Sequence, residues 1–510
     1  MEGTVGTPTA GASPAEPALK KGAINYVSSV VIGVASTAPG YSLAAVLGLI
    51  VAVEGIGVHA PAAMILSFVP ILFVAWSYRY LNKADPDCGT TFSWATKAFG
   101  PSTGWIGGWA IVVADIIVMA NLAQIAGLYT FELFEINAST AAVTALGVGW
   151  IALMTWICVI GIELNAKTQR WLLAAEIVTL AAFAIVALVR VYVDGPAHSI
   201  HPDISWFSPF AIDSWDAIVS GVLIGIFIYW GWDSLVTVNE ETEDSDTVPG
   251  KAAVTATLIL LFIYVIVSTA AIAFGGVDRL ANDESGDVLG LLANDVFGSK
   301  WLGKLVIIAV LSSAAASTQT TILPTARTTL SMARAKAIPS TFGHIHRRYL
   351  TPDSSTIWMG ALSIAWYVGL TIVSENILYD SIAALGLMIA FYYGLTGFAC
   401  VWYFRRELTK SFRNFMMAGV FPFLGGLMLL GVFAKSCYDL SKPENSTAGD
   451  SWLGLGPPLV IGAGLLLMGP ILMLVWRFNG HPEFFRQKTE ISPPGMLDPD
   501  VPGVPPPHAA

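Results

Sequence analysis

The sequence predicts an all-α membrane protein with twelve transmembrane helices, and three observations predict this fold class. Of its 510 residues, 55% are hydrophobic and 12% are charged, whereas about a quarter of the residues of an average soluble domain are charged. The apolar residues are grouped in runs of about 20 or more, the length that crosses a hydrocarbon core of about 30 Å. Two of the runs, five spans apart, are interrupted by glycine, proline and small polar residues. The composition excludes a water-soluble globular class.

The predicted spans follow one another with mostly short connections, and their even number places both termini on one side of the membrane. They cover residues 24–53, 60–80, 105–130, 141–162, 171–193, 216–238, 252–275, 302–327, 355–373, 380–404, 416–436 and 456–477. If the termini are cytosolic, 20 of the 26 lysines and arginines lie on inner segments and 6 on outer ones. Because positive residues accumulate on the cytosolic side, we predict a multi-pass protein of the cytoplasmic membrane with both termini cytosolic.

The chain divides into four predicted parts. Residues 1–22 and 487–510 have no apolar core and are rich in small residues or proline, so they are predicted to be disordered cytosolic tails. Residues 23–404 hold spans one to ten, and residues 405–486 hold two accessory spans. The outer segment 277–303 is acidic and partly amphipathic. It is either a re-entrant, gate-like segment or an ordinary solvated loop.

The interruptions in spans one and six predict a site for a polar solute in the membrane. Span one contains a proline inside an apolar run, and a proline breaks a helix. Span six contains several glycines among bulky aromatic residues. Where a helix breaks in a bilayer, its freed N–H and C=O groups line a cavity, and matched breaks in two halves indicate an inverted repeat. The alternative is that these glycines and the proline only permit close helix packing. The candidate substrate-binding residues are Ser36, Thr37, Ala38, Pro39, Gly40, Phe227, Ile228, Tyr229, Trp230 and Gly231.

Three acidic residues lie inside apolar spans, where ionisable groups are costly and mark functional sites. Asp115 is expected near mid-membrane, where it meets a substrate amine, exchanges a proton, or serves as a paired packing residue. Asp233 is expected to have a gating or proton-linked role. Glu176 is expected close to the cytosolic end of span five, where a long side chain reaches water. Its alternative role is coupling.

Hydroxyl groups on span eight leave the coupling ion open. Ser312 and Ser313, with Ser317 and Thr318, offer oxygen ligands for a hard cation such as Na⁺. Hydroxyls in membrane helices also bond to backbone carbonyls. The buried acids favour proton coupling or exchange.

Three segments carry a family resemblance. Residues 225–249, with Asp233, Asn239 and Glu241, resemble the sixth helix and following loop of amino acid-polyamine-organocation superfamily permeases of the bacterial amino acid permease type. Residues 316–352 resemble the eighth helix and the cytosolic loop of that family. Residues 86–109 resemble the entry to its third helix.

The resemblance implies a five-plus-five inverted-repeat core with broken helices one and six and two accessory helices, working by alternating access. It places a substrate carboxylate on N–H groups of residues 36–40 and an amine on carbonyls of residues 227–231, with Phe227 as a gate. Relatives use a titratable fifth-helix side chain where sodium-coupled relatives hold a cation. Many members have a glycine-rich first break, whereas this chain has Ser36-Thr37-Ala38-Pro39-Gly40.

The expected function is secondary active transport of an amino acid, coupled to protons or operating by exchange. The alternatives are a polyamine or organic cation transporter of the same fold and a sodium-coupled amino acid symporter. The sequence holds no convergent nucleophile and base, and its four cysteines are scattered, so we predict no enzyme, cofactor or metal. The expected partners are a small solute, H⁺ or Na⁺ and the lipid bilayer, with no nucleic acid.

Overall fold

The computed structural model describes residues 18–283, 287–446 and 451–486, leaving aside the side chains of 375–379 and 382. Apart from residues 18–22, the two predicted tails lie outside this range. In the described part of the chain, all regular elements are helices, and two isolated bridges join Ile24 to Thr242 and Trp452 to Leu455. The predicted all-α fold class is confirmed.

Eighteen α-helices follow in chain order within the described residues. They are α1 Tyr26–Ser36, α2 Pro39–Val51, α3 Ala60–Ala84, α4 Thr91–Phe99, α5 Pro101–Leu133, α6 Thr140–Ile160, α7 Ile162–Val193, α8 Trp215–Ile228, α9 Ser234–Thr237, α10 Val248–Gly275, α11 Val277–Ala281, α12 Val288–Phe297, α13 Lys300–Arg334, α14 Asp353–Val373, α15 Glu375–Tyr403, α16 Phe412–Asn414, α17 Phe421–Leu440 and α18 Pro457–Phe478.

Eleven spans in the described residues are long and apolar enough to cross a membrane. They correspond to all the predicted spans except the sixth, with α1 and α2 together forming the first. The sixth predicted span is divided between α8, which has 14 residues, and the four-residue α9. The total of twelve crossings therefore stays a prediction.

Several helices extend beyond the apolar runs that predict them. Helix α7 begins at Ile162, nine residues before the predicted span, because the polar residues 162–170 continue the helix although they lower the local hydropathy. Glu176 thus lies 14 residues, or about 21 Å, inside a 32-residue helix. The expectation that Glu176 lies close to a helix end and reaches water is wrong, since the residue is fully buried.

The first predicted break lies between α1 and α2. Pro39 has no N–H and its ring clashes with the preceding turn of a helix, so α1 ends at Ser36 and α2 begins at Pro39. Between them, Ala38 has a left-handed φ of 48°, a conformation that costs a non-glycine residue about 1–2 kcal/mol. The Thr37 hydroxyl donates to the Val34 carbonyl at 2.7 Å and closes the end of α1.

The second predicted break lies between α8 and α9. Helix α8 ends at Ile228, and α9 begins at Ser234. Gly231 lies between them with φ of +111°, a conformation that glycine adopts without the steric cost of a Cβ atom. Both interruptions predicted from the sequence are therefore breaks in the helices.

The most buried spans surround these breaks. In the most apolar 18-residue stretch of each span, the buried share is 83% for the α1–α2 pair, 83% for α5 and 78% for α13. The corresponding share for α18 is 22%. The inverted repeat and the accessory role of the last two spans stay predictions. The segment 277–303 is not an ordinary solvated loop, because it contains α11 and α12, and one face of α12 is buried through Val288, Leu289 and Leu292.

Candidate functional site

The two helix breaks lie side by side in the core. The hydroxyl oxygens of Ser36 and Ser234 are 2.7 Å apart and hydrogen-bonded. The Ser317 hydroxyl on α13 donates to the Ser36 carbonyl at 2.8 Å. A Cβ atom placed on Gly231 would lie 2.8 Å from the same carbonyl oxygen. The end of α1, the turn before α9 and the middle of α13 therefore meet at one point.

A side-chain carboxylate occupies the amino end of α2. The Gly40 N–H donates to Oε1 of Glu176 at 2.6 Å, and the Ser313 hydroxyl donates to the same oxygen at 2.8 Å. The Tyr41 N–H donates in turn to the Ser313 hydroxyl oxygen at 3.3 Å. Oε2 of Glu176 is buried and has no hydrogen-bond partner among the described residues. The chain itself thus supplies the carboxylate at a helix end that favours anions.

Asp233 is held by three tyrosines. The hydroxyl of Tyr393 donates to Oδ1 at 2.8 Å, and those of Tyr392 and Tyr78 donate to Oδ2 at 3.1 and 3.4 Å. All four residues are buried. Three O–H donors suit an ionised carboxylate, which only accepts hydrogen bonds. Among the described residues, no basic side chain contributes to this cluster.

Asp115, on α5, contacts α13 at a different level from Glu176. The Thr325 hydroxyl donates to Oδ2 of Asp115 at 2.6 Å, and Asp115 is within electrostatic range of Asp233. Thr325 is twelve residues from Ser313, which is about 18 Å along a helix. Glu176 and Asp115 therefore contact α13 at two separate levels, through Ser313 and Thr325 respectively.

The other predicted residues of the second break are distributed around it. Tyr229 is fully buried and donates from its hydroxyl to the Met64 carbonyl at 3.2 Å. The Trp230 indole N–H donates to the Tyr392 hydroxyl, which links this turn to the Asp233 cluster. The Ile228 carbonyl accepts from the Tyr264 hydroxyl. Phe227 is partly exposed and packs against the core.

The hydroxyls of α13 divide into two groups. Ser313 and Ser317 contact the first break, as described above. Ser312 and Thr318 donate to carbonyls of their own helix, those of Ala309 and Ala314, at 2.9 and 2.7 Å. The structure brings two of the four predicted hydroxyls to the site.

A charged cluster lies at the end of α13 that is predicted to face the cytosol. Arg327 and Glu241 are fully buried and joined by two hydrogen bonds of 2.9 and 3.1 Å. Asp87, Cys88 and Glu240 have ligand atoms within 4.8 Å of one another. However, Glu240 pairs with Arg334 at 2.8 Å, and Asp87 accepts from two serine hydroxyls and the Gly89 N–H. Burial raises the pKa of the Cys88 thiol well above its ordinary value, which disfavours the thiolate that binds metals.

Comparison with known proteins identifies the family. A family model described as amino acid permease matches residues 24–461. The chain belongs to the amino acid permease family.

Relatives of this permease are transporters, not enzymes. An uncharacterized transporter of Mycobacterium tuberculosis is 27% identical over 324 residues, which cover 62% of this chain and 69% of the relative. The low-affinity putrescine importer PlaP of Escherichia coli is 23% identical over 376 residues, or 72% of this chain and 79% of the importer. The arginine/ornithine antiporter ArcD2 of Lactococcus lactis is 24% identical over 453 residues, or 79% of this chain and 87% of the antiporter.

Sequence reasoning missed the side chains that other helices bring to the permease site. Tyr78 on α3 and Tyr392 and Tyr393 on α15 hold Asp233, and Ser234 joins the two breaks. The tyrosine pair within an otherwise apolar span was the one available signal, because a buried phenol requires a hydrogen-bond partner. Which partner it finds depends on helix packing.

Proposed function

We propose that the chain is a secondary active transporter that moves a small solute with an amino group, an amino acid or a polyamine, across the cytoplasmic membrane by alternating access. The observation that carries this proposal is the junction of the two helix breaks at Ser36, Ser234 and Gly231. Broken membrane helices expose polar backbone groups where a solute binds between two halves of a transporter. Two relatives, a putrescine importer and an arginine/ornithine antiporter, support a solute that carries an amino group.

The buried acids support coupling to protons or exchange. Glu176, Asp233 and Asp115 have N–H and hydroxyl partners in the described part of the chain, with no lysine, arginine or histidine among them. The fully buried Arg327 is committed to Glu241. Carboxylates buried without cations require a proton or a passing cation. Sodium coupling stays an alternative, since Ser313 and Ser317 contact the first break.

Transport is tested with the purified protein in proteoliposomes. Vesicles loaded with an unlabelled amino acid or polyamine are expected to take up the same solute in labelled form by saturable counterflow, which a channel does not produce. Uptake is also expected under an inward pH gradient in sodium-free buffer. Strict dependence on sodium would contradict proton coupling, and single-channel currents without counterflow would contradict secondary transport.

A polyamine is the second candidate substrate. The observation that favours it is the carboxylate of Glu176 on the Gly40 N–H, where an amino acid would place its own carboxylate. Thermal-shift screening against amino acids and polyamines tests both, because a ligand that binds the folded state raises its melting temperature.

A further inference from the structure

Glu176 occupies the position that a substrate carboxylate needs. Pro39 has no N–H, so the first donors of α2 are those of Gly40 and Tyr41. Gly40 donates to Glu176 directly, and Tyr41 donates to Ser313, which itself donates to Glu176. The free donors at the amino end of α2 are therefore already used by one internal carboxylate.

The space beside Gly40 leaves little room for a second carboxylate. A Cβ atom on Gly40 would lie 3.2 Å from Oε1 of Glu176 and 3.6 Å from Cβ of Ser313. A substrate carboxylate at this helix end would also be a like charge at close range, which costs more in a buried site than in water. It can bind only if the Glu176 side chain moves away or loses its charge.

The same residue offers an unused acceptor. Oε2 of Glu176 is buried and without a partner among the described residues, and a buried carboxylate oxygen without a donor is costly. The groups that face Glu176 are the Gly40 N–H of α2, the Ser313 hydroxyl of α13 and, within electrostatic range, the Tyr264 phenol of α10. An ammonium group of a solute would supply the missing donor and the missing positive charge.

From this geometry we infer that the permease binds a carboxylate-free organic amine, with Glu176 in the place of the carboxylate and its Oε2 accepting from the ammonium group. This inference rests on the proposed transport function and selects the amine over the amino acid as its substrate class. Glu176 is then the residue that determines specificity. It rejects solutes that bring their own carboxylate to α2.

Matched ligand pairs test the inference, because putrescine is ornithine without its carboxylate. Binding of both is measured by calorimetry on the purified protein, and the ratio of the ornithine Kd to the putrescine Kd is compared between variants. The wild-type protein is expected to bind putrescine at least about tenfold more tightly, the effect of one charge-assisted hydrogen bond and one like-charge contact. Cadaverine and lysine provide a second pair.

Substitution of Glu176 is expected to change this ratio. E176A frees the Gly40 N–H and the Ser313 hydroxyl for a ligand carboxylate, so the ratio should fall by about tenfold or more. E176Q keeps the size of the side chain and removes the like charge, so it should lower the ratio even if E176A does not fold. The matched control is E163Q, the same chemical change on the same helix at an acid whose side chain is 61% exposed. It should leave the ratio unchanged.

The outcomes separate this inference from the proposed function. A wild-type protein that binds ornithine as tightly as putrescine, or a ratio that E176A and E176Q leave unchanged, overturns the inference. Amino acid binding without amine binding also overturns it and leaves the proposed transport function standing. If no amine and no amino acid binds or is taken up, both proposals fail.

Discussion

Arg327 and Glu241 form an ion pair in which neither side chain is exposed. Arg327 belongs to α13, and Glu241 follows α9, so the pair connects the end of the second break to the central helix. The backbone of Glu241 also accepts from the Ile24 N–H at 3.1 Å, just before α1. The ion pair and this hydrogen bond together join the segment before α1 and the segment after α9 to α13.

Removal of one partner from this pair should destabilise the protein strongly. E241Q leaves the Arg327 guanidinium buried without its counter-charge, which costs about 3–5 kcal/mol. We expect a marked fall in the melting temperature in detergent. The control is E240Q, since the Arg334 and Glu240 side chains are 39% and 25% exposed and such pairs contribute about 0–1 kcal/mol. Equal falls in melting temperature for E241Q and E240Q would contradict the larger contribution of the buried ion pair to stability.

At the scale of the elements, each break depends on close backbone approach. Gly231 has φ of +111°, and a Cβ atom there would lie 2.8 Å from the Ser36 carbonyl oxygen. The contact is to backbone, which cannot move aside as a flexible side chain can. The turn between α8 and α9 therefore requires glycine at this position for both conformation and space.

G231A should separate the two breaks. Alanine at positive φ and in contact with a carbonyl oxygen is expected to cost about 1–3 kcal/mol of folding free energy. Counterflow should fall strongly, while the melting temperature falls only modestly. The control is G149A on α6, where a Cβ atom would meet nothing within 4 Å. Counterflow by G231A equal to that of G149A would contradict a role of this contact in transport.

The amino end of α12 should respond to pH. Asp287 accepts from the Gly290 N–H at 2.9 Å and caps this helix, and burial raises the pKa of Asp287 above its ordinary value. The Asp287 carboxyl group therefore binds its proton more tightly in the folded state than in the unfolded state. The stability of the fold rises as the pH falls through the raised pKa of Asp287. D287N keeps the cap and removes the titration. Its melting temperature relative to wild type should be highest near neutral pH and decline as the pH falls.

Asp203 provides the control with the opposite sign. It precedes the short 3-10 helix Ile204–Phe207, and the hydroxyl and N–H of Ser205 hold the pKa of Asp203 below its ordinary value. Asp203 therefore stabilises the fold at pH values above the pKa that it has in the unfolded chain. This stabilisation is lost as the pH falls through the lower pKa of Asp203 in the folded protein. D203N should therefore be less stable than wild type near neutral pH and approach it in acid. The same pH trend for both variants would contradict the assignment to burial at Asp287.

At the scale of the whole molecule, the distribution of positive charge predicts which side of the membrane each loop faces. Lys300 is the first residue of α13, and Lys336 lies two residues after its end; both are exposed. From the 20-to-6 division of lysines and arginines, we predict that Lys336 lies in the cytosol and Lys300 outside.

Cysteine labelling of intact cells tests this orientation. A C437S background removes the partly exposed native thiol, while Cys88, Cys158 and Cys400 are buried. A membrane-impermeant maleimide should label K300C in intact cells and K336C only after permeabilisation. Labelling in the reverse pattern would place the termini outside.

The helices and their breaks were predictable because their causes are local. Pro39 cannot continue a helix wherever it is placed, and apolar runs of about 20 residues must cross the bilayer. Helix ends were less predictable. Helix α7 begins at Ile162, before the apolar run, so Glu176 lies near the middle of its helix and not near the end as predicted. Hydropathy indicates which part of a helix contacts lipid, but it does not indicate where the backbone hydrogen bonds of that helix begin or end.

By itself, the sequence determined the all-helical membrane fold, the two breaks and three acids among the polar residues of the spans. The tertiary structure alone decided what those residues contact: Glu176 on Gly40, three tyrosines on Asp233 and Thr325 on Asp115. The physical reason is that helix formation and membrane insertion depend on neighbouring residues along the chain. The partner of a buried polar group depends on helices that are more than a hundred residues apart in sequence.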